Sequence, residues 1–149
     1  MLVVTSGHCT YVNNNYAKKI LVTFPNQGTV TAFAKDLYAS PEYIATGNPD
    51  FDYGLILLAG NSDDGFGWTS IIQDSELDAR LVTNCGYPGD KPRAILWITG
   101  GPIHSFTPKR IYYMNDTAGG QSGSPVYTWC GGYWTVLGVH SYWLSQLSG

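Results

Sequence analysis

The stretch Gly119-Gly120-Gln121-Ser122-Gly123-Ser124-Pro125 is the most informative part of this sequence: a glycine-rich loop with a serine in its middle. Residues 125–129, an apolar and aromatic run, follow directly and predict a β-strand. Glycine allows backbone turns that other residues disfavour and lets a ligand approach the chain closely. The loop therefore places Ser122 immediately before a strand, in backbone that can turn sharply.

Similar short runs of β-branched and aromatic residues recur along the chain between turn signals. The runs are residues 19–24, 29–34, 53–58, 80–83, 94–99, 110–114, 125–129 and 134–139. Turn signals lie at 25–28, 47–49, 87–90 and 130–132. Because no long segment has a 3.6-residue apolar period, the pattern predicts an all-β protein, either a barrel or a sandwich.

Length, composition and charge narrow the class of protein. The chain has 149 residues, enough for one domain or two very small ones, and residues 61–68 could link two halves. Its net charge is −3 and its eight basic residues are spread along the sequence, which excludes a nucleic-acid-binding role. No apolar run approaches the roughly 18 residues of a membrane-spanning helix. Low charge with many Gly, Tyr and Trp residues is typical of a secreted all-β protein.

Two further patterns supply what a nucleophilic serine needs. They are Thr5-Ser6-Gly7-His8-Cys9, directly after a short strand, and Asp52-Tyr53-Gly54, leading into an apolar strand. A serine hydroxyl needs an adjacent base, and histidine is suited to that role at neutral pH. A carboxylate holds the histidine tautomer and stabilises the imidazolium. Each pattern alone is usually structural, but together they make His8, Asp52 and Ser122 candidate catalytic residues.

The same residues carry a resemblance to a known family. The segment 5–9 resembles the histidine signature of chymotrypsin-like serine proteases, and 120–125 resembles their nucleophile loop. Segments 52–54, 86–91 and 116–126 are similar to the bacterial-type glutamyl endopeptidases, and the resemblance runs from Met1 to about Ser141. It implies an all-β fold of two six-stranded antiparallel barrels, and secretion as a precursor with a propeptide.

The resemblance also implies a domain division and roles for individual residues. Residues 1–66 would be the remainder of an incomplete N-terminal barrel, and 67–149 the C-terminal barrel with the nucleophile loop and specificity pocket. Ser122 would be the nucleophile, His8 the general base and acid, and Asp52 the residue that orients His8. The backbone N–H groups of Gly120 and Ser122 would form the oxyanion hole.

Substrate selection is implied in the same way. His140 and Thr117 match positions that recognise a substrate carboxylate, which predicts cleavage after Glu or Asp, and Ser141 matches a residue that bonds the substrate backbone. In trypsin-like enzymes an Asp before the nucleophile pairs with a new N-terminus on activation. This sequence has Gln121 there, so that switch is expected to be absent.

Three alternatives stay open. Asp116 lies where trypsin-like enzymes keep the Asp that attracts basic side chains, and taken alone it predicts cleavage after Lys or Arg. A catalytically silent, protease-like binding domain is the second alternative. It is favoured because the chain starts one strand before His8, ends soon after Ser141, and has Trp143 near the expected mouth of the pocket. An aromatic sugar-binding protein is the third, resting on Trp129, Tyr133, Trp134, Tyr142 and Trp143.

The remaining expectations concern cysteines, metals and partners. Within the resemblance, Cys85 and Cys130 would lie on neighbouring strands and could pair, which would leave Cys9 to find a partner upstream of Met1. No residue spacing indicates a metal site, and no cofactor is expected. The glycosylation pattern at Asn115 is expected to stay unused. A secreted monomer acting on protein or peptide substrates, without nucleic acid or membrane partners, is expected.

Overall fold

The computed structural model describes residues 1–24, 28–59, 77 and 80–142, and most of them lie in β-strands. The strands are β1 Leu2–Thr5, β2 Tyr11–Val12, β3 Asn15–Tyr16, β4 Lys19–Phe24, β5 Gly28–Phe33, β6 Leu37–Ala39, β7 Gly54–Leu57, β8 Leu81–Gly86, β9 Trp97–Thr107, β10 Arg110–Tyr113, β11 Pro125–Cys130 and β12 Tyr133–Val139. The helices are α1 Gly7–Thr10 and α2 Pro41–Thr46, with 3-10 turns at Ala34–Asp36 and Pro49–Phe51. The all-β prediction is confirmed.

The described part of the chain holds no helix with the length and apolarity needed to cross a membrane. Both α-helices are short, as the lack of a 3.6-residue period predicted. Helix α2 begins at Pro41, where the Ser40 side chain accepts a hydrogen bond from Tyr43 N at 3.0 Å. It ends at Gly47, whose φ of 64° is the left-handed conformation common after helices.

Most predicted strands are present, with differences at their ends. The strand predicted over residues 94–99 was wrong at its start, because Ala94 has a φ of 62° and β9 begins only at Trp97. The short strands β2, β3 and β6 were not predicted. Residues 25–27 of one predicted turn, the predicted link at 61–68, and Trp143 lie outside the described residues.

The chain divides into two compact units, Met1–Phe66 and Gly67–Gly149. In the first, β1, β7 and β6 form an antiparallel sheet, and β2–β3 and β4–β5 form separate hairpins. Its core contains Ala32, Leu37, Ile56 and Leu58. The pairing of Thr5 with Gly54 puts the end of β1 beside the start of β7. As a result, the segment carrying His8 lies next to the segment carrying Asp52.

The second unit contains a curled antiparallel sheet of five strands, in the order β10-β9-β8-β11-β12. Its core contains Leu77, Val82, Ile103 and Val126. The β11–β12 hairpin closes through Gly131 and Gly132, both with positive φ, as a tight two-residue turn requires. Pro125 pairs with Val139, so the loop before β11 and the residue after β12 meet at one end of the sheet.

The expected disulfide between Cys85 and Cys130 is not formed. The two cysteines do lie on neighbouring strands, β8 and β11. However, Val126 pairs with Asn84, so Cys85 lies near Pro125, at the opposite end of β11 from Cys130. The prediction was wrong because strand adjacency alone does not fix register, and a disulfide needs Cα atoms within about 7 Å.

Candidate active site

His8 and Asp52 are joined by two short hydrogen bonds in the first unit. The backbone N–H of His8 donates to Asp52 Oδ1 at 2.7 Å, and the ring Nδ1 lies 2.6 Å from Asp52 Oδ2. The Asp52 side chain is fully buried, whereas the His8 side chain keeps 29% of its surface exposed. With Nδ1–H donating to the carboxylate, a neutral His8 ring has Nε2 as its acceptor nitrogen. That tautomer can take a proton from a hydroxyl.

Three interactions set the proton affinity of His8. The hydrogen bond to Asp52 raises the pKa of His8 above its usual 6.5, and the Cys9 side chain raises it further, while burial acts in the opposite direction. The raised pKa means that the imidazolium is held more strongly than in free histidine. The neutral, proton-accepting form of His8 is therefore populated at higher pH than that of free histidine.

Glycines at two positions allow the segments around His8 and Asp52 to pack this closely. A Cβ on Gly7 would lie 2.9 Å from Asp52 Oδ1 and 3.2 Å from Tyr53 O. A Cβ on Gly54 would lie 2.8 Å from Tyr38 O and 2.9 Å from Thr10 Oγ1. Gly7 is therefore required by its contact with the Asp52 carboxylate, and Gly54 by its contacts with Tyr38 and Thr10.

The loop carrying Ser122 is held against the end of β8 in the second unit. Gly89 N donates to Gly119 O at 2.6 Å. Gly120 has a φ of 97°, and a Cβ there would lie 2.9 Å from Tyr87 O, so glycine is required by both conformation and space. None of the described residues accepts a hydrogen bond from Gly120 N–H. Ser122 itself is half-buried.

A buried amide pair supports this loop from behind. Gln121 is 2% exposed and Asn84 is fully buried. Gln121 Oε1 accepts from Ala118 N at 2.7 Å, and its Nε2 donates to Asn84 Oδ1 at 3.1 Å. Asn84 in turn donates to Pro125 O at 3.1 Å. Both polar atoms of the Gln121 amide group thus help to fix the loop.

His140 follows β12 directly and is tied to the same loop. Its backbone N–H donates to Ser124 O at 2.8 Å, and its carbonyl accepts from Gly123 N at 2.8 Å. The residue is 7% exposed, and its ring Nδ1 lies 2.5 Å from the hydroxyl of Tyr113. No sequence signal pointed to Tyr113, because it is 27 residues away in the chain and meets His140 only through the sheet.

The other candidate residues of the second unit differ in exposure. Thr117 and Ser141 are half-buried, whereas Asp116 is exposed. Asn115 Nδ2 donates to Thr99 O at 3.2 Å and Val82 O at 3.4 Å, so the nitrogen that would carry a sugar is already engaged. The structure thus brings His8 and Asp52 together in one unit, and His140 and the Ser122 loop together in the other.

Among residues 1–24, 28–59, 77 and 80–142, no group of three His, Cys, Asp or Glu side chains could hold a metal ion. In the first unit, an imidazole is hydrogen-bonded to a buried carboxylate. The geometry in the second unit is that of a serine in a glycine-rich turn beside a buried histidine. These are the components of nucleophilic acyl transfer by a serine.

Comparison with known proteins also indicates a serine protease. A solved structure of a Glu endopeptidase superposes with a TM-score of 0.80 at 27% identity, covering 97% of this chain and 70% of the other. The chain therefore has an all-β fold similar to that of the chymotrypsin-like proteases, which confirms the fold class expected from the sequence.

Two relatives are similar in sequence. The glutamyl endopeptidase of Bacillus licheniformis is 36% identical over 133 residues, and the extracellular metalloprotease of Bacillus subtilis is 30% identical over 134 residues. Each match covers 84% of this chain but only 42% of the relative. No protein-family model matches the chain. In sequence and in fold, the chain is similar to the chymotrypsin-like serine proteases. Glutamyl endopeptidases are found in both the sequence comparison and the structure comparison.

Proposed function

We propose that this chain forms the catalytic part of a secreted serine endopeptidase that hydrolyses peptide bonds through an acyl-enzyme, after Glu or Asp. The observation that carries the proposal is the buried Asp52 carboxylate holding Nδ1 of a partly exposed His8 at 2.6 Å. Burying a carboxylate costs free energy unless its charge is paired. The buried Asp52 carboxylate is paired with His8, and it can stabilise the imidazolium that forms when His8 takes up a proton.

In the proposed reaction, Ser122 Oγ attacks the carbonyl carbon of the substrate as His8 Nε2 takes the hydroxyl proton. The tetrahedral intermediate then collapses, and His8 gives that proton to the leaving amine as the C–N bond breaks. Water next attacks the acyl-enzyme with His8 again as base, and the acid product leaves with Ser122 restored. Asp52 stays ionised and holds the ring throughout.

The oxyanion of each tetrahedral intermediate would be bound by backbone N–H groups of Gly120 and Ser122. The positive φ of Gly120 and its close approach to Tyr87 O support this role, because they fix the direction of the peptide groups around Ser122. Donors held in place before the reaction stabilise developing charge without reorganising.

The proposed preference for an acidic side chain rests on His140, with Thr117 as a second donor and Ser141 bonding the substrate backbone. His140 is buried and bonded through its backbone to the Ser122 loop, which supports a place near the reacting bond. Asp116, the basis of the competing basic preference, is exposed to solvent. An N–H donor suits a carboxylate, whereas Lys and Arg side chains offer only donors.

The wider biology is proposed from the relatives. Secretion is supported by the name of the Bacillus subtilis relative, which describes that protein as extracellular. Protein or peptide substrates follow from the reaction class. The two units, Met1–Phe66 and Gly67–Gly149, are proposed to correspond to the two barrels, and the enzyme is proposed to act as a monomer without a cofactor.

Peptide hydrolysis tests the proposal directly. Peptides that differ only in the residue before the scissile bond (Glu, Asp, Ala, Gln or Arg) are incubated with the wild type and with Ser122→Ala and Ser124→Ala. We expect cleavage after Glu, a loss of about 10⁶-fold in Ser122→Ala, and little change in Ser124→Ala, the matched serine on the same loop.

The other outcomes separate the alternatives. Cleavage after Arg that disappears in Asp116→Asn would replace the acidic preference by a basic one. Folded protein that binds the peptides without cutting any of them would favour a silent binding domain. Equal activity of wild type and Ser122→Ala would contradict the proposed nucleophile.

A further inference from the structure

The Tyr113 side chain joins the core of the second unit to the His140 ring. Tyr113 is the last residue of β10, and its ring packs against the buried cluster that includes Ile103 and Val126. Its hydroxyl lies 2.5 Å from His140 Nδ1, with the two ring centroids 6.0 Å apart. One end of the tyrosine is therefore anchored in the core while the other contacts the imidazole.

The chemistry of the two groups determines the direction of this hydrogen bond. Burial raises the pKa of Tyr113, so its phenol stays protonated. A protonated phenol can donate to Nδ1 or accept from it, depending on the histidine tautomer. Among the described residues, the Tyr113 hydroxyl has no acceptor other than His140 Nδ1, so donation to that nitrogen is the arrangement that satisfies the buried O–H. Neutral imidazole carries one proton, which then resides on Nε2.

The backbone contacts of His140 fix its main chain but not the orientation of its ring. Its N–H and C=O are bonded to Ser124 and Gly123, so the position of its Cα is fixed relative to the loop that carries Ser122. Ring rotation and tautomer are not fixed by these bonds. The Tyr113 hydroxyl restricts both, because its short contact requires Nδ1 on the side facing β10.

We propose that Tyr113 is a positioning residue for substrate selection, which holds His140 in the tautomer whose Nε2–H can donate to an acceptor oxygen of an acidic side chain. This inference rests on the proposed function of His140 in recognising the substrate. Selection of a carboxylate then depends on two residues: His140 contacts the substrate, and Tyr113 acts by holding the His140 ring. A fixed N–H donor discriminates against Lys and Arg, whose side chains have no acceptor to offer.

Imidazole nitrogen NMR tests the tautomer without requiring activity. In the folded wild type, we expect the His140 ring at pH 8 to show a protonated Nε2 and an unprotonated Nδ1. In Tyr113→Phe, which keeps the packed ring and removes only the hydroxyl, we expect a mixture of tautomers. Tyr112→Phe, the neighbouring tyrosine on β10, is the matched control and should resemble the wild type. A wild-type spectrum with the proton on Nδ1 would overturn the inference.

Kinetics test the consequence for selection. The ratio of kcat/KM for a Glu peptide to that for an Ala peptide should fall about tenfold in Tyr113→Phe, the size expected for one hydrogen bond to a charged group, and stay constant in Tyr112→Phe. An equal loss on both peptides would indicate a merely structural role and overturn the inference alone. A wild type that cuts neither peptide would overturn the proposed function, and the role in selection with it.

Discussion

Asp52 accepts two hydrogen bonds from a single residue, His8, one from its backbone N–H at 2.7 Å and one from its ring Nδ1 at 2.6 Å. The first bond fixes where the His8 backbone lies, and the second fixes how its ring is turned. Because both bonds are made to the same carboxylate, the loss of its negative charge weakens both bonds together. The orientation and the proton affinity of His8 thus depend on the same side chain.

Replacing Asp52 by Asn should therefore affect both rate and pH dependence. We expect kcat to fall by about 10⁴-fold, since the amide can no longer stabilise the imidazolium or its tautomer. The residual activity should extend to lower pH, because the hydrogen bond that raises the pKa of His8 is lost and the base stays neutral in more acidic solution. A kcat/KM–pH profile measures both effects. Glu42→Gln removes an exposed charge from the same unit and should change neither.

Stability should also depend on the protonation of His8. Because its pKa is raised on folding, the native state holds a proton that the unfolded chain releases above about pH 6.5. This stabilisation is complete below the unfolded pKa and is lost as pH rises through the folded pKa, with a slope of at most about 1.4 kcal/mol per pH unit. Urea unfolding between pH 6 and 10 should show a stability advantage of the wild type over His8→Ala that shrinks with pH. An advantage that grows with pH would contradict the direction of the shift.

The close contact between Gly86 and Ser124 allows a double-mutant test of the nucleophile loop. A Cβ on Gly86 would collide with Ser124 Oγ but would lie 3.2 Å from Ser124 Cβ. We expect Gly86→Ala to lower the free energy of unfolding by about 1–3 kcal/mol, as overpacking usually does. Adding Ser124→Ala should restore most of that loss, and Ser124→Ala alone should be nearly neutral. Gly100→Ala, whose nearest neighbour would be 3.6 Å away in ordinary contact, is the control. Additive effects of the two mutations would contradict the packing described here.

The Gln121–Asn84 pair gives a prediction about loop support. Gln121→Leu removes the partner of the buried Asn84 Oδ1, at a cost of about 1–3 kcal/mol, and the partner of the partly buried Ala118 N–H. We expect lower stability together with a lower kcat, because the backbone around Ser122 is no longer fixed. Denaturant unfolding and peptide hydrolysis measure the two effects. The double variant with Asn84→Leu should cost less than the sum of the single variants; a full sum would show that the amides act independently.

The sequence was enough to predict those features that depend on a short local motif or on a local run of residues. Strand β4 matches its predicted run at both ends, because a run rich in β-branched and aromatic residues stops at the turn signal that begins at Pro25. His8, Asp52 and Ser122 could be proposed because the chemistry of each is recognisable in a short motif. Their assembly as a triad stays a prediction, as do the roles of Gly120, Thr117, His140 and Ser141.

Strand register and contacts between distant residues could not be predicted from sequence patterns. The Cys85–Cys130 disulfide was wrong because neighbouring strands were predicted without their offset. Tyr113 was missed because an ordinary strand tyrosine becomes informative only when the sheet brings it to His140. The contacts that require Gly7 and Gly54 could not be predicted either, since they depend on backbone brought together by the pairing of β7 with β1 and β6.

The most direct test of the central claim is labelling with a fluorophosphonate, measured by intact mass and peptide mapping. The reagent requires a serine activated by its base and does not depend on the preferred substrate. We predict a single adduct on Ser122, lost in His8→Ala and retained in His104→Ala, which changes an exposed histidine. Absence of an adduct on folded protein, or an adduct that persists without the His8 ring, would contradict the account.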